Sequence, residues 1–160
     1  MTSELNPFAG DSDRAFIWEM LMARDFVAFA ARDWSMVATD FDEGRFFGIH
    51  GNNSANFDDW KPAFPTLADY REEWLRQAAE SARFTYEEPL VDTLLRIVSL
   101  NQIDIRGPAA IAHKKFCGDI MRTDGSRETL AFQTLYFCAN AGDRWRITGF
   151  AGYLRYTGEA

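Results

Sequence analysis

The last third of this chain has the pattern of four long β-strands joined by short turns, and no other feature constrains the fold as strongly. Turn-forming residues, mostly Gly, Pro and Asp, separate the strands at positions 107–108, 124–126 and 141–143. The predicted strands cover residues 91–106, 109–122, 128–140 and 144–154. Because each connection is short enough for a hairpin, the pattern predicts an antiparallel meander.

The first half of the chain predicts helices instead. Apolar residues at helical spacing indicate helices over 15–31, 33–41 and 66–83, the last with Thr66 and Asp69 as a variant capping box. A short strand over 46–50 precedes the third helix, a lid-like loop covers 54–65, and residues 1–10 are expected to form a flexible tail. Helices followed by a meander are typical of an α+β fold. We expect a curved antiparallel sheet that forms a cone, with three N-terminal helices on its concave side.

Length and charge limit the classes of partner. A chain of 160 residues is most simply one domain, and its net charge of −7 argues against binding nucleic acid, which requires a basic surface. The sequence has no apolar run of membrane-spanning length, and its polar, acidic N-terminus differs from a targeting signal. These features predict a cytoplasmic protein that does not contact a membrane. The expected strand register places Cys117 and Cys138 too far apart to bridge, so both are predicted to be free thiols.

The order of these elements resembles the nuclear transport factor 2-like superfamily, particularly its SnoaL-like and ketosteroid-isomerase-like branch. The resemblance extends from about Asp13 to Tyr153. It rests on the helix pair ending at residues 33–41, the strand to His50, the third helix with Tyr70 and Trp74, and the strand series ending at residues 144–150. It implies a single cone-shaped domain with a ligand pocket, and a homodimer. It implies no particular activity, because this superfamily includes isomerases, dehydratases, polyketide cyclases and proteins without catalysis.

The resemblance can be tested against the roles of ketosteroid isomerase, in which an Asp base faces an oxyanion hole made of a Tyr and a protonated Asp. The base position falls at Ile49 and His50, the Tyr position near Asp25, and the protonated Asp position near Phe132. Two of the three roles therefore have unsuitable side chains, and ketosteroid isomerisation is disfavoured. His50 remains a candidate base because imidazole titrates near neutral pH. Its alternative is a solvated histidine beside the turn at 51–53.

His113 is the second candidate base. The predicted register places it near Asn101 and Phe137, on a strand face whose polar end also includes Gln133. We interpret that face as the inner wall of the cone, so His113 is either a hydrogen-bonded core residue or a base in the pocket. Asn101, Gln133 and Phe137 are predicted ligand contacts on the same face.

The helices supply the remaining candidates. Tyr70 and Trp74 lie four residues apart on one helix face, either as core residues or as an aromatic wall with the Tyr70 hydroxyl donating to a substrate carbonyl. Trp34, from the apolar stripe of the second helix, is a further predicted ligand contact. Asp25 lies either at the solvated edge of the first helix or beside a histidine as the acid–base partner.

No cofactor or metal is expected. The two histidines lack metal-ligand spacing, and the sequence has neither a glycine-rich phosphate loop nor a nucleophile elbow. The leading hypothesis is a small-molecule-binding cone that performs acid–base chemistry of the isomerase, dehydratase or cyclase type on a largely apolar substrate. The alternative is a non-catalytic binding domain or an assembly domain. The latter would dimerise through an outer sheet face expected to carry Lys114, Tyr136 and Thr148.

Overall fold

The computed structural model describes residues 2–158, which form helices along one side of a six-stranded sheet. The α-helices are α1 (Thr2–Leu5), α2 (Ser12–Leu21), α3 (Ala23–Ala31), α4 (Leu67–Ser81) and α5 (Leu90–Ile97). The strands are β1 (Phe47–His50), β2 (Lys61–Phe64), β3 (Val98–Arg106), β4 (Ala109–Met121), β5 (Arg127–Asn140) and β6 (Trp145–Arg155). No helix in this part of the chain is long and apolar enough to cross a membrane.

The sheet has the strand order β2-β1-β6-β5-β4-β3. Strands β3 to β6 form the predicted antiparallel meander, and β1 adds to β6 in parallel. Gly149 permits that addition, because a Cβ at this position would lie 2.1 Å from the carbonyl oxygen of Phe47. The prediction of an α+β fold with a curved sheet is confirmed.

Side-chain caps fix the helix starts. The Asp11 side chain accepts from the Arg14 N–H at the start of α2, and Thr66 forms the expected capping box with Asp69 at the start of α4. The predicted helix over 15–31 is interrupted at Met22, whose backbone leaves the helical region. The predicted helix over 33–41 consists of two short 3-10 turns, capped by Asp33. The segment expected to be a tail contains α1 and a buried Asn6, which donates to the Ala15 carbonyl at 3.1 Å.

Two further elements differ from the sequence prediction. Residues 91–97 were predicted as the start of a strand but belong to α5, because Leu90, Leu94 and Ile97 fall on one helical face that packs against the core. Strand β2 lies within the segment predicted as a loop. Its Pro62 is tolerated because β2 is an edge strand, where a missing N–H breaks no ladder.

The face of the sheet that the helices cover also differs from the prediction. In β4 and β5 the even-numbered residues, including Lys114 and Tyr136, face the helices, whereas His113 and Phe137 face outward. The alternation was read correctly but assigned to the wrong side, because both faces are apolar and periodicity alone cannot distinguish them. The β4–β5 hairpin is centred on Asp124, so Cys117 pairs with Ala131. Both cysteines are free thiols, as predicted.

A buried ion cluster joins helix α3 to the start of β6. The Asp40 side chain is almost fully buried and accepts from the Arg24 Nε and Nη2 atoms, both at 2.8 Å. Arg144, next to β6, donates to Asp40 Oδ1, which also accepts from Arg24 Nη2. Because a buried carboxylate is stable only when paired and hydrogen-bonded, both arginines are needed to hold Asp40 inside.

Candidate functional site

A cavity of about 650 Å³ lies between helices α3, α4 and α5 and the inner face of the sheet. Its size falls within the range of small-molecule pockets. One stripe of α4, formed by Tyr70, Trp74, Gln77 and Ser81, lines it at helical spacing. Aromatic side chains supply much of the remaining wall: Phe29, Phe116, Phe132, Phe150 and Tyr153.

The inner end of the cavity is polar. Asp25, Tyr70 and Tyr136 line both the cavity and a small void of about 10 Å³ that extends into the core. Burial raises the pKa of both tyrosine hydroxyls well above 10.0. Both tyrosines therefore keep their protons at neutral pH and can donate to a ligand.

Asp25 is held in place by two donors. Lys114 Nζ donates to Asp25 Oδ2 at 3.0 Å, and Trp74 Nε1 donates to Oδ1 at 3.2 Å. The carboxylate lies in the first turn of α3, where the helix dipole favours negative charge. Each carboxylate oxygen has a second lone pair, so Asp25 can still accept a hydrogen bond from a molecule in the cavity.

Lys114 is a buried cation. Its side chain is only 1% exposed, and Nζ also donates to the Leu21 carbonyl. The ammonium group lies 4.6 Å from the centre of the Phe26 ring, a cation–π distance. Burial lowers the pKa of Lys114, and the nearby Asp25 carboxylate opposes that change. Lys114 therefore balances the charge of Asp25 from behind the cavity wall.

Tyr153 reaches the cavity from an irregular position in β6. It has a φ of 54°, and the β5–β6 register shifts by one residue between Gln133 and Leu135. A bulge of this kind redirects a side chain, and a left-handed conformation is unusual for a tyrosine. The Tyr153 hydroxyl accepts from Gln77 Nε2 at 2.6 Å, and burial raises its pKa. The bulge thus places one more aromatic ring in the wall.

Of the residues singled out in the sequence, Asp25, Tyr70 and Trp74 line the cavity together. Asp25 pairs with Lys114 rather than with a histidine. Trp34 lies one layer behind the wall, where its ring stacks on Phe41 and contacts Trp74 edge-on, with both pairs of ring centres 5.2 Å apart. Trp34 therefore supports the Trp74 ring and is not among the described residues that line the cavity.

Neither histidine is among the described residues that line the cavity. The His50 ring stacks on Tyr153 with ring centres 4.2 Å apart, its Nδ1 accepts from the Asn52 N–H, and burial lowers its pKa. The His113 Nε2 lies 3.0 Å from Asp104 Oδ2 on the outer sheet face. The placement of His113 in the inner wall was wrong for the same reason as the face assignment.

The remaining predicted contacts also lie outside the cavity lining, as far as residues 2–158 show. Asn101 is exposed, beside an irregularity between β3 and β4. Gln133 donates to the Arg155 carbonyl at 2.8 Å, and the Phe137 ring is partly exposed on the outer face. The polar end predicted for the strand face is thus an outer-surface feature.

Sequence reasoning missed Lys114, Tyr136 and Tyr153 as site residues. One signal for Lys114 was available: it alternates with Ala112 and Phe116 along β4, and a lysine in an apolar row needs a buried partner. Tyr153 gave no such signal because its orientation depends on the bulge. Within the described chain, no group of three or more His, Cys, Asp or Glu side chains is arranged to hold a metal ion.

Similarity to known proteins lies in the fold. No family model matches the sequence, and no curated protein matches it. An NTF2-like protein with a cystatin-like fold from Novosphingobium aromaticivorans has a TM-score of 0.57 and 13% identity, over 100% of this chain and 92% of that one. An NTF2-like superfamily protein from Salmonella enterica serovar Typhimurium has a TM-score of 0.56 and 14% identity, over 100% and 97%.

A third similar structure is an NTF2-like protein of unknown function from Shewanella baltica, with a TM-score of 0.53 and 13% identity, over 91% of this chain and 94% of that one. These likenesses confirm the fold predicted from the order of elements. At 13–14% identity, these similarities do not indicate an activity for this chain. This chain has the cystatin-like α+β fold of the nuclear transport factor 2-like proteins.

Proposed function

We propose that this protein binds a small, largely apolar molecule carrying a hydroxyl group, with that hydroxyl at Asp25. The observation that supports the proposal is a carboxylate held by Lys114 and Trp74 at the inner end of an aromatic-walled cavity. Ligand sites commonly combine apolar walls with a few fixed polar groups that orient the ligand.

The polar groups define the chemistry that fits. The Asp25 carboxylate accepts hydrogen bonds, whereas the protonated Tyr70 and Tyr136 hydroxyls can donate them. A ligand group that both donates and accepts satisfies this set, and an alcohol or phenol does so with one atom. The flat aromatic walls favour a planar ligand body, since aromatic pairs gain from stacked and edge-on contacts.

A more specific proposal is that the protein catalyses acid–base chemistry in this cavity. Asp25 would accept a proton from the bound molecule, and Tyr70 or Tyr136 would donate a hydrogen bond to the oxygen that becomes negative. This scheme covers the cofactor-independent isomerase, dehydratase and cyclase types. It replaces a histidine base with Asp25, because both histidines lie away from the described cavity wall.

Titration calorimetry with β-naphthol tests binding in the cavity. We expect one-to-one binding that is weakened by Leu130→Trp, which places an indole in the cavity, and retained by Ala131→Trp, which places an indole on the exposed face of the same strand. Equal binding by both variants would contradict the proposal. The Asp25→Asn variant should weaken the binding of β-naphthol about tenfold. It should weaken the binding of naphthyl methyl ether much less, because the ether lacks the hydroxyl hydrogen.

Assembly of two copies is a second candidate function. Across four neighbouring strands of the outer face, Ile111, Phe137, Gly149 and Phe47 are paired in one row. Ile111, Phe137 and Phe47 are 38%, 36% and 45% exposed. A contiguous apolar row on a sheet face favours contact with another protein surface. A second copy would bring an identical row, and aromatic side chains are enriched in such interfaces.

A further inference from the structure

The mouth of the cavity contains a buried guanidinium group with an unused donor. Arg122, directly after β4, lines the cavity with a side chain that is only 16% exposed. Its Nε is buried and is the one such side-chain nitrogen or oxygen within residues 2–158 that has no hydrogen-bond partner. Buried polar atoms are nearly always paired, so this exception requires an explanation.

The surrounding structure holds Arg122 in place. Its guanidinium carbon lies 3.6 Å from the centre of the Phe84 ring, and its backbone N–H donates to the Ser126 carbonyl at 3.0 Å. A bridge between Tyr86 and Arg122 fixes the same point of the chain from the other side. The donor edge of the guanidinium is therefore positioned before any ligand arrives, which reduces the entropy lost on binding.

The charge of Arg122 is less neutralised than that of Arg76, which also lines the cavity. Arg76 has a two-bond ion pair with Glu73, at 2.8 and 2.6 Å. Arg122 has one contact with Glu128, at 3.3 Å and through Nη2, and the Glu128 side chain is about half exposed. An exposed carboxylate at that distance holds its partner weakly. The guanidinium of Arg122 is thus only weakly neutralised by the described residues.

We infer, building on the proposed function, that Arg122 binds a carboxylate of the ligand at the cavity mouth. The planar guanidinium presents parallel donors that match the two oxygens of a carboxylate. Arg122 follows Lys114 by eight residues along β4, which is about 25 Å of extended strand, so it lies at the opposite end of the cavity from Asp25. The ligand class is therefore a carboxylic acid whose apolar body extends inward from the mouth.

Calorimetry with naphthylacetate and naphthylacetamide tests this inference, because the two probes differ only in the charged group. The wild type should bind the acid about tenfold more tightly than the amide. Arg122→Gln should remove this preference by weakening acid binding far more than amide binding. Arg127→Gln, at an exposed arginine that also lines the cavity, is the matched control and should retain the preference.

The outcomes separate the inference from the proposed function. A wild type without preference for the acid, or an Arg122→Gln variant that weakens both probes alike, would overturn the role of Arg122 and leave cavity binding intact. Binding of neither probe would overturn the inference alone if β-naphthol still binds, and both proposals if it does not. If Arg122→Gln does not fold, salt provides the test in the wild type. Between about 50 mM and about 500 mM NaCl, acid binding should weaken and amide binding should not.

Discussion

Lys114 donates to Asp25 at 3.0 Å from a side chain that is 1% exposed, so a buried cation supports the carboxylate in the cavity wall. Removing one member of a buried pair leaves the other uncompensated, whereas removing both can be nearly neutral. Asp25→Leu should therefore lower the free energy of unfolding by about 3 kcal/mol. The double variant Asp25→Leu/Lys114→Met should recover part of that loss.

Urea denaturation of the two single variants and the double variant measures the coupling between the two residues. A double variant less stable than Asp25→Leu, with simply additive losses, would contradict the pairing. Lys114→Met alone should cost less than Asp25→Leu, because Asp25 retains its bond from Trp74 and contact with the cavity.

Cys138 should make the protein less stable in alkali. Burial raises the pKa of its thiol to about 12 from 9.0. The folded state therefore keeps the proton in a range where the unfolded chain releases it, and stability falls as the pH rises from about 9 towards 12. The slope from one thiol is about 1.4 kcal/mol per pH unit.

Urea denaturation at a series of pH values isolates the Cys138 contribution. Cys138→Ala should lose stability near neutral pH but show a shallower decline above pH 9 than the wild type. Cys117→Ala, at the exposed cysteine, should keep the wild-type slope. Buried tyrosines add to the decline above about pH 10, since burial raises the pKa values of Tyr70, Tyr136 and Tyr153. Identical slopes for all three proteins would rule out the buried thiol as a cause.

Gly149 should tolerate no side chain. A Cβ would lie 2.1 Å from the Phe47 carbonyl oxygen, which belongs to the backbone and cannot move without breaking the β1–β6 pairing. We expect Gly149→Ala to lower the free energy of unfolding by about 3 kcal/mol or more. Gly44→Ala is the control, because the nearest atom to its Cβ would be an Asp42 oxygen at 3.8 Å. Similar thermal stability of the two variants would contradict the parallel addition of β1.

The outer sheet face should control association if two copies assemble there. Phe137 lies in the middle of the apolar row and is partly exposed, so Phe137→Lys would place a charge at the centre of the interface. Sedimentation velocity should show a dimer for the wild type and a monomer for this variant. Phe57→Lys, at a more exposed phenylalanine in a 3-10 turn, should leave the dimer intact. A monomeric wild type would eliminate the assembly hypothesis.

Much of the fold follows from local signals in the sequence. The turns at 107–108, 124–126 and 141–143 set the meander, and Thr66 with Asp69 sets the start of α4. These features depend on neighbouring residues, so they can be read directly. The helix over 90–97 was missed because its apolar residues also suit a buried strand, and short apolar runs are ambiguous between the two.

The site was only partly predictable because it depends on long-range packing. Tyr70 and Trp74 could be assigned to one helix face from their spacing, and both line the cavity. The partner of Asp25 could not be found in this way, since Lys114 lies 89 residues away and its orientation depends on which sheet face the helices cover. His113 was misplaced by the same ambiguity.

The most direct test of the account is a titration of the protein with β-naphthol, followed through the indole N–H signals in ¹H–¹⁵N correlation spectra. Trp74 Nε1 donates to Asp25 in the cavity wall, whereas Trp145 Nε1 donates to Asp13 at 2.9 Å outside the cavity lining described. The account predicts that the Trp74 signal shifts progressively to saturation while the Trp145 signal stays in place. An unchanged Trp74 signal at saturating naphthol, or equal shifts of both signals, would contradict ligand binding at Asp25.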